Sequence, residues 1–97
     1  MIVGISIFEL HLPHSRSLKQ KRKVVKGMVE RIHHRFRVSI IESDHHDLHQ
    51  RSEISIALVA LTDHDAERIF DSIRSLVDQE MEAVLLHWDP QLMDVTE

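Results

Sequence analysis

Three observations predict a single α+β domain in which two helices lie on one face of an antiparallel sheet. Runs of β-branched, period-2 sequence alternate with runs of period 3.6. They occur in the order β-α-β-β-α-β, and the first and third strands are apolar on both sides.

The first strand is IVGISIFELHL at 2–12, rich in β-branched side chains and closed by Pro13. Ile2, Phe8, Leu10 and Leu12 fall on one side and Val3, Ile5 and Ile7 on the other, as in a central strand covered at least partly on both faces. From Ser17 the period lengthens. Leu18, Val25, Met28, Val29, Ile32 and Phe36 share one side of a helix with Ser17 as N-cap. RVSIIES at 37–43 is a short strand; EISIALVALT at 53–62 is longer, its Ile54, Ile56, Leu58 and Ala60 alternating with the equally apolar Ala57, Val59 and Leu61. Thr62 or Asp63 caps a second helix that runs to about Gln79, burying Ala66, Ile69, Phe70, Ile73, Leu76 and Val77, with Asp63, Asp65 and Glu67 at the positive end of its dipole. EAVLLHW at 82–88 is the last strand, stopped by Pro90. One domain over residues 1–90 is expected, followed by a tail at 91–97 that is frayed or docked on a partner. This order is the ferredoxin-like arrangement, with strands expected in the spatial order 4-1-3-2.

Composition narrows the chemistry. Apolar residues make up 42% and charged residues 29%, with two Gly and two Pro, which suits an ordered globular chain. The absence of cysteine excludes disulfides, thiolate metal sites and thiol catalysis. No apolar run approaches the ~20 residues of a membrane span, and no signal-peptide pattern opens the chain, so the expected location is the cytoplasm with no membrane partner. Two glycines cannot build a phosphate-cradling loop, and no nucleophile stands with a base. A non-enzymatic protein without cofactor or metal is therefore expected.

Charge is divided along the chain. Residues 16–37 hold nine of the twelve Lys and Arg, and residues 63–97 hold ten of the sixteen Asp and Glu, beneath a net charge of only −4. Binding of polyanions follows the local field, so the basic helix is the first candidate site. On a helical wheel Lys19, Arg22, Lys23 and Lys26 fill an arc of about 100° beside the buried stripe, Lys21 sits at the stripe's other edge, and Arg31 and Arg35 take the opposite flank. Ser17 and Lys19 add the free N–H groups of the first turn. Cations at a helix start oppose the dipole, and positions that break a local rule are good candidates for function. Two readings stand: a phosphate-binding face, or a solvated face whose cations pair with acids of the same fold.

A polar connection, Asp44-His45-His46-Asp47-Leu48-His49-Gln50-Arg51, joins strands two and three. In the expected topology it lies at the same end of the sheet as the start of helix one, bringing Asp44, Asp47, Gln50 and Arg51 near His14, Ser15, Ser17 and Lys19. Either the acids neutralise helix cations, or a mixed-charge pocket of Ser17, Lys19, Asp44, Asp47 and Arg51 holds a small anion. Nine histidines in the chain do not form a diagnostic metal pattern. Strand three carries no aromatic residue on which bases could stack, which favours phosphate contacts over base reading.

The segments HLPHSRSLKQKR at 11–22 and FRVSIIESDHHDLHQR at 36–51 resemble the YlxP-like family of small bacterial proteins, a domain of unknown function. The similarity is carried by His11, Pro13, Ser15, Ser17, Leu18, Lys19, Lys21, Arg22, Phe36, Val38, Ser39, Glu42, Asp44, Asp47, Gln50 and Arg51. The resemblance implies a ferredoxin-like fold and a bacterial cytoplasmic protein whose genes often neighbour those for translation initiation and ribosome maturation. It implies no activity. The combined expectation is an accessory protein that binds RNA or a ribonucleoprotein through Ser17, Lys19, Lys21, Arg22, Lys23 and Lys26. The alternatives are a homo-oligomer formed through the second apolar face of the sheet, and a small-anion-binding domain.

Overall fold

Backbone pairing in the computed structural model, which describes residues 1–96, follows the order read from the sequence and adds a fifth strand. The elements are β1 (Ile2–His11), α1 (Leu18–Arg35), β2 (Ser39–Asp44), β3 (Arg51–Ala60), α2 (Asp63–Asp78), β4 (Val84–Leu86) and β5 (Gln91–Asp94). The sheet runs β2-β3-β1-β4 with every pair antiparallel, so β1 and β3 are central, as their two-sided apolarity required. Ten residue pairs join them, from Ile2 opposite Ala60 to His11 opposite Arg51. The architecture is α+β and ferredoxin-like.

Both helices cover the same face. Phe8 and Leu10 of β1 and Ile54, Ile56 and Leu58 of β3 pack with Val25, Met28 and Ile32 of α1 and with Phe70, Ile73 and Val77 of α2. Each such side chain contributes about 1.5–3 kcal/mol of transfer free energy. Ser17 caps α1 as expected, its hydroxyl accepting from Gln20 N–H at 3.1 Å, and of the two candidates for α2 the cap is Thr62, whose hydroxyl accepts from Asp65 N–H at 3.1 Å. Leu18, expected in the stripe of α1, is only half-buried and stands outside the core, whereas Val24, not expected in the stripe, packs against it.

The expected tail is part of the sheet. Residues 91–94 form β5 and pair with Ile2–Ile5, while β4 pairs with Glu9–His11, so β4 and β5 together make one interrupted edge strand. Trp88 explains the interruption. It leaves the edge to pack against Phe8, ring centroids 5.3 Å apart, and Phe70 at 6.2 Å. His87 takes a left-handed φ of 59° to make the detour, a cost of roughly 1–2 kcal/mol offset by the indole's burial. Pro90, expected to stop the strand, lies in the detour beyond the end of β4 at Leu86 and does not end the sheet.

Gly4 lets Phe70 into the same corner. A Cβ at residue 4 would lie 2.6 Å from the Phe70 ring and 3.1 Å from Leu58. Since Phe70 is fully buried, Gly4→Ala is expected to destabilise by about 1–3 kcal/mol through overpacking. A urea titration checks this, and an unchanged midpoint would show that Phe70 has another place to go.

Candidate functional site

The basic flank of α1 is exposed along its length. Lys19, Arg22, Lys23 and Lys26 project away from the sheet into solvent, and the first turn of the helix holds no acid. Among the described residues none of the four is in an ion pair, whereas Arg31 is paired with Glu80 at 2.8 Å, and Arg51, Arg68 and Arg74 also face carboxylates. No acid of the second half lies within ion-pair distance of this flank, although Lys23 shares a concavity with Glu80 and Glu82. Ser17 stands beside it with its hydroxyl committed to the cap.

Lys21 departs from the expected phosphate-binding set. Its side chain has 0% exposure, and its ammonium donates to the carbonyls of His45 at 2.7 Å and Arg51 at 3.2 Å while lying 3.1 Å from a Glu42 carboxylate oxygen. It is a core anchor and cannot reach a nucleic acid. The physical reason is its place on the wheel: at ~100° per residue it falls between Met28 and Ile32, in the middle of the buried stripe. The signal was available as a lysine among apolar stripe residues, but its partners come from β2 and the following loop, which only the folded chain brings there. Glu42, absent from the expected set, is the second member; it also accepts from the Ser52 hydroxyl at 2.6 Å.

The loop between β2 and β3 spans only residues 45–50, because Asp44 and Arg51 belong to the strands. It does meet the start of α1: Gln50 donates its side-chain amide to the carbonyls of Pro13 at 3.3 Å and Ser15 at 3.2 Å, and its own carbonyl accepts from Leu12 N–H. Asp44 accepts from His45 N–H at 2.7 Å, supporting the left-handed φ of 65° at His45. Asp47 is exposed in the loop. Arg51 goes the other way. Its side chain lies on the open face of the sheet and pairs with Glu9, so Arg51 and Lys19 sit on opposite faces and the anion pocket drawn from Ser17, Lys19, Asp44, Asp47 and Arg51 does not assemble. Strand parity decides this, since one residue along β3 reverses the face.

His45 Nε2 lies 3.0 Å from Glu9, opposite the Arg51 contact, and His46 Nε2 lies 3.1 Å from the Glu42 carbonyl. Among the described residues no group of three or more His, Asp or Glu is placed to hold a metal ion. The Glu9 carboxyl is held below its ordinary value of 4.5, first by the His45 hydrogen bond and then by Arg51. A carboxyl depressed in this way adds stability above its unfolded pKa and loses it as pH falls through the folded value, so the window lies below about 4.5. Glu9→Gln should then lose less melting temperature than the native chain between about pH 6 and pH 3, and equal losses would uncouple the cluster from folding.

A concavity of about 450 Å³ lies between α1 and the α2–β4 turn and is lined by His14, Gln20, Lys23, Arg31, Glu80 and Glu82 among others. Its charges are mixed and Arg31 is already bound to Glu80, so it offers no concentrated anion site. No helix among the described residues is long and apolar enough to cross a membrane.

Comparison with known proteins agrees with this architecture. The chain aligns over its full length with 88% of a de novo designed protein of ferredoxin fold solved in solution by NMR, at 13% identity and a TM-score of 0.50, a likeness of fold alone. It is 30% identical over 77 residues to the uncharacterised protein YlxP of Bacillus subtilis (strain 168), an alignment covering 79% of this chain and 84% of YlxP. Residues 3–89, which contain the basic flank, the Lys21–Glu42 pair and the 45–50 loop, match the model of a protein family of unknown function, and the chain belongs to that family, DUF503.

Proposed function

We propose that this protein is a non-enzymatic accessory factor that binds RNA, free or in a ribonucleoprotein, through the phosphates of the backbone. The observation that carries the reading is the flank of Lys19, Arg22, Lys23 and Lys26: four exposed cations within about 100° of one helix, none in an ion pair among the described residues. Like charges held together without counter-charges carry an electrostatic cost that a polyanion relieves. Among the described residues the open sheet face presents no Phe or Trp, since Phe8 points into the core, so contacts are to phosphate rather than by stacking. The link to translation or ribosome maturation rests on the resemblance of the motifs at 11–22 and 36–51 to the YlxP-like family. Gel mobility of ribosomal RNA and of an unrelated duplex, at two salt concentrations, tests the reading. Retardation by the native chain should vanish when the four cations are changed to Gln; binding that survives that change would remove the flank from the function.

A further inference from the structure

The second face of the sheet is uncovered, and its composition departs from that of a solvated surface. In an antiparallel sheet with one face on the core, the other ordinarily alternates in polar residues. Here the outward positions at 3, 5 and 7 of β1, 39 and 41 of β2, 55, 57 and 59 of β3, and 91 and 93 of β5 hold no charged residue. With 29% of the chain charged, about three of those ten would be expected to be charged even for an average stretch. Ile7 is 55% exposed, Ile41 61% and Val59 62%, and Val3, Ile5 and Met93 adjoin them in register. Charge returns at the two ends of the face: Glu9, Arg51 and Glu53 bound the apolar part on one side, and exposed Arg37, which shares a concavity with Val3, Ser39, Ala57 and Val59, bounds it on the other.

We propose that two copies of this chain pack through these open sheet faces as an isologous dimer, apolar patch on apolar patch, with the charged ends as part of a polar rim. Two areas support a second copy as the occupant. The chain exposes 6515 Å² of accessible surface, whereas a compact monomer of 11.4 kDa exposes about 5800 Å². That excess of roughly 700 Å² reflects an elongated molecule, 48 × 22 × 21 Å, with an uncovered sheet face, against the ~800 Å² that each partner contributes to a standard interface. β1 and β3 are ten residues long, β2 six, and β4 with β5 seven, so the face at about 3.3 by 4.8 Å per residue covers some 500 Å² before side-chain relief is counted. A patch without charges matches a copy of itself, whereas a polyanion would find nothing there to pair with. Because both helices lie on the opposite face, this packing leaves the two basic flanks on the two outer sides of the dimer.

Sedimentation equilibrium on the full chain tests the packing. A mass near twice 11.4 kDa is expected, reduced to one chain by Ile7→Lys with Val59→Lys, whose fold is checked by circular dichroism. A native chain that stays at one-chain mass up to about millimolar concentration overturns the proposal, as does a folded double variant that remains dimeric. A second measurement does not depend on tolerating lysine. The chain has no cysteine, so Ala57→Cys, exposed at the centre of the patch, reports contact through a short bismaleimide. Cross-linked dimer is expected from Ala57→Cys and not from Ser75→Cys on the exposed side of α2; equal yields from both, or none from Ala57→Cys, overturn the face-to-face packing.

Discussion

Lys21→Ala is expected to destabilise the fold by about 3–5 kcal/mol, the usual result of removing one member of a buried ion pair. Three losses combine. The Glu42 carboxylate, only 18% exposed, loses the cation 3.1 Å away and keeps only the Ser52 hydroxyl and the more distant His46 ring. The carbonyls of His45 and Arg51 lose the ammonium as donor, and an unsatisfied buried acceptor costs about 1–3 kcal/mol. The fully buried four-carbon stem leaves a void, which adds a cavity cost. Against a total stability of about 5–15 kcal/mol for a domain of this size, one substitution would remove a fifth or more. Urea denaturation measures it. Lys21→Met refills the volume but not the charge, and should recover only the cavity part. Lys21→Met combined with Glu42→Leu removes both charges and should recover more, because replacing a buried pair by apolar groups is often neutral. A midpoint unchanged by Lys21→Ala would mean that the ammonium does not hold the 45–50 loop to the helix.

Changing Lys19, Arg22, Lys23 and Lys26 together to Gln is expected to leave the fold intact and flatten the salt dependence of RNA binding. Each phosphate contact adds about 0.7 to the slope of log affinity against log salt for a single strand and about 0.9 for a duplex. Four contacts therefore account for a slope near 3, or roughly 60-fold in affinity between about 50 and 200 mM salt. The fourfold variant should lose that dependence along with most of its affinity. Arg68→Gln with Arg74→Gln on α2 should leave both unchanged, since these cations already face Asp65 and Asp78 on their own helix. Fluorescence anisotropy with labelled RNA over a salt series reads slope and affinity together. An equal slope in native and fourfold variants would place the phosphate contacts elsewhere on the molecule. Should the chain dimerise as proposed, each particle carries two such flanks, and affinity for long RNA should exceed that for short oligonucleotides by more than the number of sites.

Element order, both N-caps, the sides of β1 and β3 and the exposure of the four flank cations were legible because each depends on local chemistry. A hydroxyl at Ser17 or Thr62 meets the free N–H groups of its own helix start, and period 2 or 3.6 states which side chains share a face. The tail was misread because Pro90 looks like a strand end from its own neighbourhood. That it lies in a detour depends on Trp88 finding Phe8 and Phe70, eighty and eighteen residues earlier in the chain. Lys21 was misread for the same reason: its residue type argues for solvent, and its partners at Glu42, His45 and Arg51 lie 21 to 30 positions away.

By itself, then, the sequence determined a β-α-β-β-α-β chain with a cationic helix and strands that are apolar on both sides, since propensity, periodicity and capping act within a few residues. Only the tertiary structure decided which cations are free. Burial of Lys21, pairing of Arg31 with Glu80 and of Arg51 with Glu9, and isolation of Lys19, Arg22, Lys23 and Lys26 all depend on which distant carboxylates the fold brings within reach, and Coulomb attraction falls off with distance in space rather than along the chain.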